Sequence, residues 1–237
     1  MSLKFHFRVG EEDGSDDQKI REKSLPFFVS FFLKKKMGAL LQMFLYKYSI
    51  IFYMVSKDIS YWLKEGKQSK ITPKIKEICA KFKGDDYDKL FSSLDWIEKN
   101  IHHEKDYENV IKTFASRSAD QVIKNKNHTG CHDTALVLAT FLRAVKIPSK
   151  YLIGINKTSP KNQGHCVVEA YLGKKWILID PSSFQLNLIP SRSSFYTHHY
   201  VVKEGLDSWD CGIKTFNDWK KVSKSIVDKV NKDLVRV

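Results

Sequence analysis

"NHTGCHDTALVLATFLRAVKIP", residues 127–148, begins with polar residues and a glycine, then sets a cysteine and a histidine where an apolar helix starts. Ala135, Leu136, Leu138, Ala139, Phe141, Leu142 and Val145 recur at helical spacing and Pro148 ends the run, which predicts a buried helix with Cys131 in or beside its first turn. That position favours a thiolate. Unpaired N–H groups and the positive end of the helix dipole stabilise negative charge there, drawing a thiol pKa below its free value of about 8.5. Gly130 gives the chain freedom to turn sharply into the helix. The competing reading of Cys131 is a buried structural cysteine, since free cysteine is among the most buried residue types.

Downstream, the period changes to that of strands. "KYLIGI" (150–155), "HCVVEAYL" (165–172), "KWILID" (175–180) and "YVVKE" (200–204) are short, β-branched or aromatic, and bounded by turn residues. If the turn between the second and third is centred on Gly173 and Lys174, Leu172 faces Lys175 and Val167 faces Asp180. Asp180 then lies diagonally across from His165, within reach of its ring. Cys166, the strand neighbour of His165, is expected on the opposite face and away from the imidazole. Glu169 shares the face of His165 and reads as a solvent-facing strand carboxylate. His102, His103, His198 and His199 have no helical ligand spacing and read as surface or loop residues.

Upstream, "TPKIKEICAKF" offers Thr72 as N-cap and Pro73 at the first helical position, with Cys79 on the core face. "DDYDKLFSSLDWIEKNI" repeats the pattern through Tyr87, Leu90, Phe91, Leu94, Ile97 and Ile101 after an Asp85 or Asp86 cap, and "SADQVIKN" reads as a shorter helix from Ser118. "FNDWKKVSKSIVDKV" closes the pattern with a helix whose apolar face runs through Phe216, Trp219, Val222, Ile226, Val227 and Val230. Helices first and mainly consecutive strands after define an α+β domain, helices packed on an antiparallel sheet.

A cysteine at a helix start, a histidine base and an aspartate to hold the histidine form the Cys-His-Asp version of the catalytic triad. In that order and on those elements they resemble the transglutaminase-like superfamily. The matching residues are Gly130-Cys131 before "ALVLATFLRAVKIPSKYL", then Gly164-His165, then "KKWILIDPS" with Asp180-Pro181, and "LDSWDCGIKTF" (206–216) is similar to the tail of some prokaryotic members. The resemblance implies a transglutaminase-like or papain-like core with Cys131 as nucleophile, His165 as base and acid, and Asp180 as its orienting partner. It departs from the family where His132 replaces the aromatic residue of many transglutaminases and where Cys166-Val167 replaces a small residue and a tryptophan. No second oxyanion donor can be named beside the Cys131 backbone N–H.

The remaining features bound the reading. The 237 residues, 42% hydrophobic, suffice for one sizeable core plus an extension, drawn here as residues 1–70 before a catalytic domain at 71–237. The four cysteines show no CxxC pairing and read as reduced thiols. The start lacks the apolar stretch of a cleavable signal peptide. A net charge of +13 arises from lysines scattered along the chain without a nucleic-acid-binding motif, so no specific nucleic-acid partner is expected. Residues 37–55 are apolar apart from Gln42 and Lys47, which predicts a helix packed on the domain, with a membrane anchor as the alternative.

The expected activity is therefore acyl transfer through a thioester on a protein or peptide amide, in a cytoplasmic, cofactor-free enzyme. Water is the expected acceptor, making a peptidase or amidase, because the chain leaves little room for the extra domains of large cross-linking enzymes; a protein-glutamine transglutaminase is the alternative. From other classes, "CH" at 131–132 and "HC" at 165–166 supply zinc-ligand types, although adjacent strand residues point to opposite faces and no metal site is expected. A non-catalytic binding module would keep the fold without the activity. Oligomeric state is not readable from the sequence.

Overall fold

Local capping decides where the first helices begin. In the computed structural model, which describes residues 58–158 and 164–234, α1 (Pro73–Cys79) has proline in its first turn, and the Thr72 hydroxyl accepts from the Ile75 N–H. α2 (Asp86–Asn100) opens on a capping box between Asp85 and Asp88. α3 (Tyr107–Thr113) is capped by Asp106 but buries none of its side chains fully, so it carries no apolar stripe for a sequence pattern to reveal. α4 (Ala119–Asn125) repeats the capping box with Ser118 and Gln121. The expected helix at 37–55, with its membrane alternative, lies outside the described residues, among which no helix is long and apolar enough to cross a membrane.

α5 (Cys131–Ala144) is the centre of the fold. Every side chain from His132 to Arg143 is buried, because α1, α2 and α4 cover it on one side and the sheet on the other. A helix enclosed in this way must be apolar or internally paired all round, and its buried Asp133, Thr140 and Arg143 all hydrogen-bond within the protein.

The sheet contains β3 (Ser149–Asn156), β4 (Gly164–Leu172), β5 (Lys175–Asp180), β6 (Gln185–Asn187) and β7 (His199–Gly205), all antiparallel in the order β6-β5-β4-β3-β7. A separate two-residue parallel pair joins β1 (His102–His103) to β2 (Asn127–His128). The β4–β5 hairpin has the expected register, with Leu172 opposite Lys175 and Val168 opposite Ile179. Gly173 (φ +55°) and Lys174 (φ +63°) both adopt the left-handed conformation of a two-residue turn that matches strand twist.

Alternation divides the sheet between two cores. Ile153, Ile155, Cys166, Val168, Ile177 and Ile179 join the main core under α5. Leu152, Val167 and Leu178 form a smaller one on the other face, with Phe195 from α6 (Ser194–His198). Glu169, expected to face solvent, is buried beneath Tyr196, whose hydroxyl donates to it over 2.7 Å. Phe91, expected on the core face of α2, is exposed.

The segment 206–213 acts as a clasp. Asp207 is fully buried, and its carboxylate accepts from the Gln68 N–H (3.0 Å), the Ser69 N–H (3.1 Å), the Ser69 hydroxyl (2.9 Å) and the Asp210 N–H (2.9 Å). Gln68 in turn donates to the carbonyls of Ala115 (3.1 Å) and Arg117 (2.9 Å) and accepts from the Ser208 N–H (3.1 Å). Residues just before α1 are thereby fixed to the loop that leads into α7 (Phe216–Leu234), whose Phe216, Trp219, Val222 and Ile226 pack on the main core.

Candidate active site

The turn into α5 is held by a buried ion pair rather than by a side-chain cap. Gly130 has φ +146°, a conformation that favours glycine, and no side chain caps the helix. Instead Asp133, completely buried, accepts from the Thr129 N–H and hydroxyl (2.8 Å each) and from the Arg117 guanidinium. Burial opposes its ionisation, but the charges of His132 and Arg117 and the Thr129 hydrogen bonds outweigh it and keep the carboxyl below its ordinary value. The same Thr129 oxygen lies 3.0 Å from His132 Nε2. Because its own proton goes to Asp133, it accepts here, which assigns the His132 proton to Nε2.

Cys131 leads this turn, and β4 and β5 bring the other two candidate residues to it. His165 Nε2 lies 2.7 Å from Asp180 Oδ2, and Asp180 Oδ1 accepts from the N–H (3.0 Å) and hydroxyl (2.7 Å) of Ser182. The other ring nitrogen, Nδ1, remains for a second partner, and Cys131 borders the same small cavity as His165, close enough for each to shift the other's pKa. Burial lowers the His165 pKa, yet hydrogen bonds to Asp180 and Cys131 override it and raise it to about 10. Burial pushes Asp180 the other way, but hydrogen bonds from His165 and Ser182 outweigh it and hold the carboxyl below the usual carboxylate range. The Cys131 thiol is held well below its ordinary value by hydrogen bonding with Cys166 first and with His165 next, against the opposing effect of burial. The three groups thus favour a thiolate–imidazolium pair.

Residues 73–181, from the start of α1 to just past β5, match the model of the transglutaminase-like superfamily. This part of the chain is similar to a transglutaminase-like core. Its fold is similar to that of a putative cysteine protease from Cytophaga hutchinsonii, with a TM-score of 0.50 and 22% identity over 67% of this chain and 50% of that one. A structure described as a TGase is 18% identical over 65% of this chain and 41% of its own, with a TM-score of 0.38. The chain spans half the length of the first of these structures. No curated protein matches it.

Two cavities open on this candidate site. One, of about 150 Å³, is walled by Phe114, Ile153, Phe216 and Trp219 and reaches Cys131, His132, His165 and Cys166. The other, of about 510 Å³, is polar; Asn156, Gln185, Asn187 and Ser194 line it, with His165 and Asp180 on its wall. Trp219 closes so tightly over Gly164 that a Cβ there would run into the indole ring. Among the described residues, no group of three or more His, Cys, Asp or Glu side chains is arranged to hold a metal ion.

Two expectations for this neighbourhood are corrected. Cys166 does not point away from the site: it lines the same cavity as Cys131. Strand alternation itself holds, for Cys166 faces the helix side of the sheet. It is the α5 N-terminus that lies there, while His165, first in the strand after Gly164, reaches it from the sheet end. His199 is not a remote surface residue either. Its ring stacks on Phe195 (5.2 Å between centroids, 20°) and stands 5.8 Å from that of His165. Burial, chiefly, lowers its pKa, so the second imidazole beside His165 favours the neutral form. No sequence spacing signals it, because β7 reaches the site only through its pairing with β3.

Proposed function

We propose that the chain is a cysteine acyl-transfer enzyme that hydrolyses amide bonds in a protein or peptide substrate, with Cys131 as nucleophile, His165 as acid and base, and Asp180 as the group that orients the imidazole. The observation that carries this reading is the His165 ring, bonded to Asp180 through Nε2 over 2.7 Å and sharing the wall of one cavity with the Cys131 thiol. The thiolate attacks the substrate carbonyl carbon, and the developing oxyanion meets the backbone N–H of Cys131, which the first turn of a helix leaves without an intrahelical acceptor. Imidazolium then protonates the leaving amine, giving a thioester. In the second half, neutral His165 takes a proton from water, which attacks the thioester and frees the acid.

The similar Cytophaga hutchinsonii protein is described as a putative cysteine protease, which supports hydrolysis over cross-linking. The aromatic cavity around Cys131 fits the acyl side of the substrate, and the polar cavity beside His165 fits the departing amine and the incoming water.

The test uses an N-acetyl amino acid p-nitrophenyl ester as acylating probe. A transient mass increase confined to Cys131, followed by release of the free acid at a rate indifferent to added primary amine, is the expected result. An amide product with amine-accelerated turnover would assign transfer instead. An unmodified Cys131, with the chain folded, would remove the enzymatic reading.

A further inference from the structure

The acyl-transfer mechanism makes no use of Cys166. The fold nevertheless brings this second thiol, close to the start of β4, against the sulfur at the start of α5. Cys131 and Cys166 share the wall of the smaller cavity, close enough for each thiol to shift the other's pKa. Both are free thiols, and Cys166 is buried on the helix-facing side of the sheet with Tyr151 beside it. Cys131 is the more exposed of the two. The arrangement is that of a reactive sulfur open to a small cavity and a resolving sulfur behind it.

We propose that Cys131 and Cys166 form a peroxide-modification site, in which oxidation of Cys131 is captured by Cys166 as a reversible intramolecular disulfide. In the first step the Cys131 thiolate attacks one oxygen of a hydroperoxide. The O–O bond breaks, hydroxide or alkoxide leaves and is protonated, and the sulfur becomes a sulfenic acid, having given two electrons to the peroxide. In the second, the Cys166 sulfur attacks Cys131 Sγ; the S–S bond forms, the S–O bond breaks, and the departing hydroxide takes up the Cys166 proton as water.

The lowered pKa of Cys131 supplies the thiolate for the first step, and the cavity wall that both residues share presents Cys166 for the second. A disulfide needs an S–S distance of about 2.05 Å, so its formation requires the two side chains to turn toward each other from their shared cavity wall. A small apolar-walled cavity admits hydrogen peroxide to Cys131. The disulfide removes the candidate nucleophile and shields it from irreversible oxidation to sulfinic acid until a thiol reductant restores both groups.

The test treats the reduced full chain with hydrogen peroxide, alkylates the remaining thiols, and maps the peptides by mass before and after dithiothreitol. A Cys131–Cys166 linked peptide lacking two hydrogens, abolished by dithiothreitol, is expected, and the same link in a Cys79→Ser, Cys211→Ser background. Sulfinic acid on Cys131 with Cys166 still alkylatable, a link of either residue to Cys211 in its place, or no oxidation of Cys131 would each overturn the proposal. Cys166→Ala, its fold checked by circular dichroism, is expected to lose dithiothreitol-recoverable Cys131 at a dose from which the parent chain recovers. Equal recovery in both would overturn it, and the peptide map of the parent chain decides alone if the variant does not fold. The readout is mass, so it stands independently of whether any amide is hydrolysed.

Discussion

His165 Nε2 and Asp180 Oδ2 stand 2.7 Å apart across the β4–β5 hairpin, from strand positions on one face of the sheet. Asparagine at 180 keeps the size of the side chain but can hold the imidazole in the wrong tautomer. Asp180→Asn is therefore expected to lower kcat by about 10⁴, the scale found for such a change in the serine-protease template. Turnover of any accepted ester or amide measures it, and a variant within tenfold of the parent would show that His165 is oriented by something else.

The same pair sets the pH dependence. With Cys131 held below its ordinary value and His165 raised to about 10, kcat/KM should already be on its plateau below the free thiol pKa of about 8.5 and fall as pH rises through about 10, where His165 loses its proton. For stability the signs differ. The raised His165 contributes fully below its unfolded pKa of about 6.5 and loses that contribution as pH rises through about 10. The lowered Asp180 contributes above about 3.9 and loses it as pH falls towards its folded value. Iodoacetamide labelling rates and urea midpoints across pH measure the two separately; labelling that follows an ordinary thiol titration would contradict the thiolate–imidazolium pair.

Gly164→Ala would drive a Cβ into the Trp219 ring. The indole must move, opening one wall of the aromatic cavity at a cost of about 1–3 kcal/mol for overpacking. Turnover of esters with large apolar acyl groups is expected to fall more than iodoacetamide labelling of Cys131, which needs only the thiolate. Equal losses in both would place the damage at the nucleophile itself.

Asp207→Ala leaves the Gln68 and Ser69 N–H groups without their acceptor in a buried site. Each such group costs about 1–3 kcal/mol, so a fall of roughly 3 kcal/mol in unfolding free energy is expected. A denaturant midpoint that shifts with unchanged slope checks it. A stability within about 0.5 kcal/mol of the parent, the scale of an ordinary surface substitution, would show that the clasp is dispensable.

What the sequence reveals follows from the range of each signal. The helix from Cys131, the strands β3, β4, β5 and β7 and the Gly173–Lys174 turn are written in local periodicity, and the His165–Asp180 pairing follows from the turn alone. The place of Cys166 escapes such a reading because alternation predicts which face a side chain takes but not what occupies that face. His199, Phe195 and the polar cavity leave no local trace because β7 reaches the site through long-range pairing with β3, and α6 immediately precedes it in the chain. Arg117 and Asp133 form an ion pair whose partners lie on opposite sides of α4, and neither residue belongs to an apolar pattern.

The tight β4–β5 turn also fixes an order of assembly. A two-residue hairpin closes in about 1–10 μs, and His165 and Asp180 come together within it as local neighbours. Cys131 comes from a separate helix, and its approach is expected to await the slower docking of α5 on the sheet. Until then the sulfur is expected to lack its imidazolium partner and to react as an ordinary thiol. Reactivity becomes a property of the finished tertiary structure, and alkylation during refolding would report docking as a late kinetic phase.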